Sequence, residues 1–256
     1  MIANGRSTAE NGRIGQGNSV STGSKNVLYL PRNRVGRDFI VGDLGGAFDQ
    51  VFEAMRDAGF DPSRDRLLSV GHLLAGEHSL TNCIRFLRTP SVFAVISNSE
   101  QDLIDLYADG APDDESIEAL AGMDFHGMAW LASCGHQQRM QLVTAMRMLP
   151  VAISVGDGGP SVGYVHGGLP GTTTWGEFLR GLQRGDESCL LAALRGTGGD
   201  IEVAGVDHVF TCYTPAWELT HRYANTIAVT PGPFLHLAAD MMALLKLVQG
   251  REVAHP

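Results

Sequence analysis

Five short polar segments each follow an apolar run, and their side chains are oxygen and nitrogen donors. They are Gly42-Asp43-Leu44-Gly45, Gly71-His72-Leu73, Ser97-Asn98-Ser99-Glu100, His166-Gly167-Gly168 and Cys212-Tyr213-Thr214-Pro215. Asp43, His72, Asn98, His166 and Tyr213 are a donor set able to hold a single divalent metal, since mixed His, Asp, Tyr and Asn sets occur around iron and zinc. The alternative is that they only pack. An aspartate at a strand end bonds turn amides, and a buried histidine needs a partner. Cys212 raises thiol chemistry, but no activating base is local, and a lone cysteine is ordinarily a small buried hydrophobe. Gly156-Asp157-Gly158-Gly159 reads as a hairpin turn, and Gly198-Gly199 as a loop with no P-loop lysine after it.

A scaffold must carry these segments. The apolar runs Phe39–Gly42, Arg66–Val70, Val92–Ile96, Val151–Val155, Val162–His166, His208–Cys212 and Thr226–Val229 predict strands. The stretches Ala47–Ala58, Leu80–Leu87, Glu100–Tyr107, Ser116–Ala121, Met128–Ala132, Gln137–Leu149 and Thr174–Gln183 predict helices. Strands alternating with helices predict an α/β fold, with its chemistry on loops at strand ends. Trp130, Trp175 and Trp217 read as packing residues.

The order of the segments adds a resemblance. Phe39-Ile40-Val41-Gly42-Asp43-Leu44, a helix, then Gly59-Phe60-Asp61-Pro62 and Asp65-Arg66-Leu67-Leu68-Ser69-Val70-Gly71 resemble the calcineurin-like metallophosphoesterases. The likeness is to the PPP-type serine/threonine protein phosphatases of the small bacterial and phage kind, over about residues 37 to 233. It implies a calcineurin-like fold, a β-sheet sandwich flanked by helices. It also implies two divalent metals roughly 3.5–4 Å apart that clamp phosphate and activate a bridging water.

The motif residues depart from that pattern. The family's Gly-Asp-x-His-Gly has Gly45 at its histidine. Its Gly-Asp-x-x-Asp-Arg-Gly is Gly71-His72-Leu73-Leu74-Ala75-Gly76-Glu77, with His72 in place of the bridging carboxylate. A neutral imidazole binds one metal through one nitrogen and cannot bridge two. Gly-Asn-His-Glu is Ser97-Asn98-Ser99-Glu100, and a serine hydroxyl cannot be a general acid near pH 7. The phosphate-binding arginine two residues before Asn98 is Ile96. His-Gly-Asp is His166-Gly167-Gly168, and Gly-His-Thr-Pro is Cys212-Tyr213-Thr214-Pro215. Arg195 stands near the position of another phosphate contact. Asp43, Asn98 and His166 thus keep the family's ligand types, while Gly45, His72 and Tyr213 do not. Of the two usual carboxylates only Asp43 remains, too little anionic charge for two cations.

Composition bounds the rest. The chain has 256 residues, 44% hydrophobic and 18% charged, enough for a well-filled core. A net charge of −9 argues against a broad basic nucleic-acid face. Residues 1–37 carry Arg6, Arg13, Lys25, Arg32, Arg34 and Arg37 against Glu10, so the remainder is strongly acidic. Residues 1–36 are expected to be a flexible basic arm, and 37–256 a single phosphatase-like domain. Cys83, Cys134, Cys189 and Cys212 form no C-x-x-C pair and read as reduced thiols in a cytoplasmic protein. No apolar run is long enough for a membrane span (~18 residues), and no apolar stretch marks a secretory signal.

These readings predict a catalytically inactive phosphatase-like protein, a pseudophosphatase that works as a binding or regulatory module for a protein partner, with no cofactor. Two alternatives stay open. One is a phosphoesterase with a rebuilt centre, where His72 and Tyr213 join the surviving ligands around one metal. The other is a secreted effector or accessory protein that uses the fold as a scaffold and the arm as an export signal.

Overall fold

Strand after strand in this chain is apolar on both faces, because two layers cover each one. The computed structural model describes residues 21–22, 26–74, 80–122, 127–158, 161–171, 173–196, 202–212, 222–223, 225–229, 232 and 234–240. Its strands are β1 (Ser21–Thr22), β2 (Val27–Leu30), β3 (Asp38–Val41), β4 (Arg66–Ser69), β5 (Val92–Ala94), β6 (Ala152–Val155), β7 (Val162–Val165), β8 (His208–Thr211), β9 (Arg222–Tyr223), β10 (Thr226–Ala228) and β11 (His236–Leu237). One sheet runs β1-β2-β6-β7-β8-β10-β9 and the other β11-β3-β4-β5. β3, β4 and β5 are mutually parallel, and β7 is parallel to β8.

Alternation along each strand builds the layers. Ile40 of β3, Leu68 of β4, Ile153 of β6, Tyr164 of β7 and Phe210 of β8 meet between the sheets. Phe39, Val41 and Leu67 point the other way, into a helical layer. That layer comprises α1 (Phe48–Asp57), α2 (Leu80–Arg88), α3 (Asn98–Leu106), α4 (Asp114–Gly122) and α5 (His136–Met146). Phe48, Val51 and Met55 of α1 show the spacing of one buried helical face. On the far side Val27, Ala152, Val165 and Val209 pack against α6 (Trp175–Arg184) and α7 (Glu187–Arg195). Each fully buried aliphatic or aromatic side chain contributes about 1.5–3 kcal/mol.

Three details differ from expectation. Val27–Leu30, assigned from sequence to the arm, pairs in parallel with β6 and buries Val27 and Leu30. Close by, Arg37 holds the buried Asp65 carboxylate at 2.6 Å. Ala129–Ser133 is a 3-10 helix rather than an α-helix. Helix α7 was not expected, although Asp186 caps it by accepting from the amides of Ser188 and Cys189. The Gly156-Asp157-Gly158 turn does join two antiparallel strands, β6 and β7.

Candidate functional site

The chain leaves β3 at Asp43, β4 at His72, β5 at Asn98 and β7 at His166, so all four lie just beyond the carboxyl ends of their strands. That edge is where an open α/β sheet forms its crevice. Tyr213 and the whole Tyr213-Thr214-Pro215 segment lie outside the described residues.

Asp43 is held from two sides. Its Oδ1 accepts the Gly45 amide at 3.0 Å, and its backbone carbonyl accepts the Gly232 amide at 2.6 Å. Burial raises its carboxyl to about 6, with His72 and the Gly45 amide pulling the other way. Gly45 and Gly46 have φ of +46° and +72° before α1 begins. A Cβ at Gly45 would have room, with Asp43 Oδ1 its nearest atom at 3.9 Å. A histidine there would instead meet the left-handed backbone, at about 1–2 kcal/mol.

His72 has the one positive φ, +56°, seen outside glycine among the described residues. Its neighbours hold it there. Its carbonyl accepts the Gly45 amide, and the amides of Leu73 and Leu74 donate to Glu100 Oε1 at 2.8 and 3.2 Å. The Glu100 side chain is fully buried, and its Oε2 takes the Ser97 amide at 2.9 Å. One carboxylate therefore clamps the His72 loop onto the start of α3. Its sequence signal is the Ser-x-x-Glu spacing of Ser97 and Glu100, a helix-start pattern whose reach to Leu73 and Leu74 no local rule gives.

The imidazole of His72 bonds Ser99 Oγ through Nδ1 at 3.1 Å and places Nε2 3.8 Å from Asp43 Oδ2. Its ring lies parallel to that of His166, with 6.1 Å between centroids and 6° between planes. His166 Nδ1 donates to the Val70 carbonyl at 2.7 Å, which leaves Nε2 without a proton in the neutral ring. Burial holds that ring below its ordinary pKa. Gly71 admits this contact, because a Cβ there would approach His166 Nδ1 to 3.3 Å and the Val95 carbonyl to 3.0 Å.

Asp43, His72 and Ser99 fall in the order carboxylate, imidazole, hydroxyl used for nucleophilic catalysis. Ser99 is fully buried, so its hydroxyl anchors His72 and has no route to a substrate. Cys212 is buried too, and burial pushes its thiol well up, away from the reactive thiolate. Ile96 is buried in the layer under α6. Arg195 is not directed at the site. It pairs with Asp102 at 2.6 Å, one turn along α3 from Asn98. Trp175 is core and donates to Ser154 Oγ, while Trp130 donates to the Leu74 carbonyl.

Among the described residues no group of three or more His, Cys, Asp and Glu side chains is arranged to hold a metal ion. Asp43, His72 and His166 come together as a paired and stacked polar cluster.

No protein-family model matches the chain. Over 70 residues it is 36% identical to serine/threonine-protein phosphatase 1 of Salmonella typhimurium, covering 27% of this chain and 32% of that protein. Over 184 residues it is 28% identical to the symmetrical bis(5'-nucleosyl)-tetraphosphatase of Aromatoleum aromaticum, covering 70% of this chain and 58% of that protein. The matched part thus spans less than two thirds of either relative. Among solved structures, a serine/threonine phosphatase from Saccharomyces cerevisiae aligns with a TM-score of 0.55 at 16% identity, covering 82% of this chain and 72% of that one. The relatives are phosphatases, and the fold is the calcineurin-like one of two sheets flanked by helices.

Proposed function

We propose that this chain is a non-catalytic phosphatase-like protein that works by binding, with a protein as its partner. The observation that carries the reading is His72. Its imidazole takes the place of the family's bridging carboxylate and turns its Nε2 to within 3.8 Å of Asp43 Oδ2. A hydrogen bond to Ser99, which itself stands where the family has its general-acid histidine, fixes it there. The two exchanged positions are therefore in contact, and together they convert a cation-binding geometry into a self-paired one. Metal activation and general-acid catalysis each contribute orders of magnitude to such a hydrolysis. Their joint loss leaves the fold with no evident way to lower the barrier.

One observation favours a second reading, a rebuilt centre with one metal. The His166 contact to Val70 leaves Nε2 in the tautomer a metal ligand uses. The two readings separate on metal content of the purified full chain, followed by p-nitrophenyl phosphate turnover with added manganese. The first expects substoichiometric metal and no turnover above buffer. Tightly bound stoichiometric metal, with turnover lost in His166→Ala, would replace it with the second.

A further inference from the structure

A cavity of about 260 Å3 opens between α3, α4 and the 3-10 helix Ala129–Ser133, apart from the polar cluster. Its walls are apolar, with Leu103 and Leu106 from α3, Ile117 and Ala121 from α4, and Met128 and Leu131 on the third side. The volume falls below the ~300–1,000 Å3 of sites that enclose a cofactor or drug-sized molecule. It suits one or two side chains.

The surroundings are acidic. From Glu100 to Glu118 the sequence holds eight carboxylates and no Lys or Arg. Asp102 and Asp105 stand on the cavity wall itself. Glu100 is occupied by backbone amides, Asp102 by Arg195 and Asp114 by Arg139. Asp105, Asp109, Asp113, Glu115 and Glu118 remain exposed on the same two helices and the turn between them. With Arg195 and Arg139 each matched to one carboxylate, the excess charge is negative, and an apolar hole in such a field selects a ligand with an apolar tip and positive charge around it.

We propose that this cavity is a docking site for a basic peptide segment of a partner protein. An aliphatic side chain would enter the cavity, and flanking arginines or lysines would lie over the carboxylates of α3 and α4. Charge complementarity decides the occupant: an acidic or phosphorylated segment would face uncompensated repulsion here. The cavity shares no residue with the Asp43, His72, Asn98 and His166 set, so the proposal stands whether or not that set turns over a substrate.

The test uses the full chain and two fluorescein-labelled peptides, Arg-Arg-Leu-Arg-Arg and Arg-Arg-Ala-Arg-Arg, followed by anisotropy at about 0.15 M salt. Saturable binding is expected, with the leucine peptide favoured at least about tenfold, the gain of burying most of an aliphatic side chain. Ala121→Trp, which fills the cavity, should abolish that preference. Asp105→Lys, on an exposed position that cannot upset the core, should weaken both peptides alike. No saturable binding, equal affinity for the two peptides, or a leucine preference that survives Ala121→Trp would each overturn the proposal.

Discussion

His72 Nε2 lies 3.8 Å from Asp43 Oδ2, so the two side chains at the heart of the crevice face each other as imidazole and carboxylate. In a two-metal geometry both positions would hold carboxylates and face cations. Here one internal partner faces the carboxylate, from a backbone held at φ +56°, and offsets only part of the cost of burying it. That balance can be measured.

Asp43 sets a pH dependence. Its folded carboxyl titrates at about 6, above the ordinary carboxylate value, with burial the main cause. A raised acid pKa means the folded state holds the proton more tightly than the unfolded chain. The associated stability is complete below about pH 4 and lost as pH rises through 6. Asp43→Asn removes the buried charge. The variant should match the parent near pH 4 and exceed it by about 2 kcal/mol at pH 8, in thermal or urea unfolding. A variant less stable than the parent at pH 8 would mean that the His72 contact outweighs burial.

His72→Asp sets two carboxylates face to face. Without metal the variant should lose about 1–2 kcal/mol near pH 7 through like-charge repulsion. Millimolar manganese should recover that loss in the variant and leave the parent midpoint unchanged, because only the variant offers a cation two carboxylates. The measurement is the melting midpoint with and without manganese, against a chelator control.

The layered fold was legible in the sequence because both faces of Phe39–Val41 and Leu67–Leu68 are buried, which writes the strands as unbroken apolar runs. Helix α7 was not. It buries only Cys189 and Ala193, so its apolar period is faint and only the Asp186 cap announces it. The strand Val27–Leu30 was hard to read for a similar reason: it is short, and its partner β6 lies more than a hundred residues on. In the site, residue types gave a set of candidate donors. They could not tell that His72 and Ser99 touch, that His72 takes a left-handed backbone, or that Arg195 turns to Asp102. Those facts depend on loops brought together from different strands, which no local pattern records.

Glu100 should prove more important to the fold than to any chemistry. Its two oxygens accept three backbone amides in a fully buried setting. Glu100→Gln keeps the shape but turns one acceptor into a donor, so at least one amide loses its partner and a new buried donor faces it. The cost should be about 3 kcal/mol, the range for charge-assisted hydrogen bonds and unsatisfied buried groups. It would be read as a lower urea midpoint with unchanged slope. Loss of the clamp should also free the His72 loop, seen as faster amide exchange at Leu73 and Leu74.

The Arg37–Asp65 pair gives an acid-side prediction of opposite sign to that of Asp43. Asp65 has no exposed side-chain surface and accepts from Arg37 Nη2 at 2.6 Å, from the Arg37 amide at 2.8 Å and from the Asp61 amide at 3.0 Å. The guanidinium holds its carboxyl well below the ordinary range. A depressed acid pKa contributes stability that is present above about pH 4 and lost as pH falls further. Asp65→Ala should therefore lower the melting midpoint by roughly 5 °C or more at pH 7. The difference from the parent should shrink steadily below pH 4, where Asp65 of the unfolded parent begins to take up a proton and the folded, paired carboxyl does not. Arg37 also donates to the carbonyls of Ala58 and Gly59 at the end of α1. Arg37→Lys, which cannot make the two-pronged contact, should give a smaller loss of the same pH shape. A loss independent of pH would assign the effect to packing rather than to the ion pair.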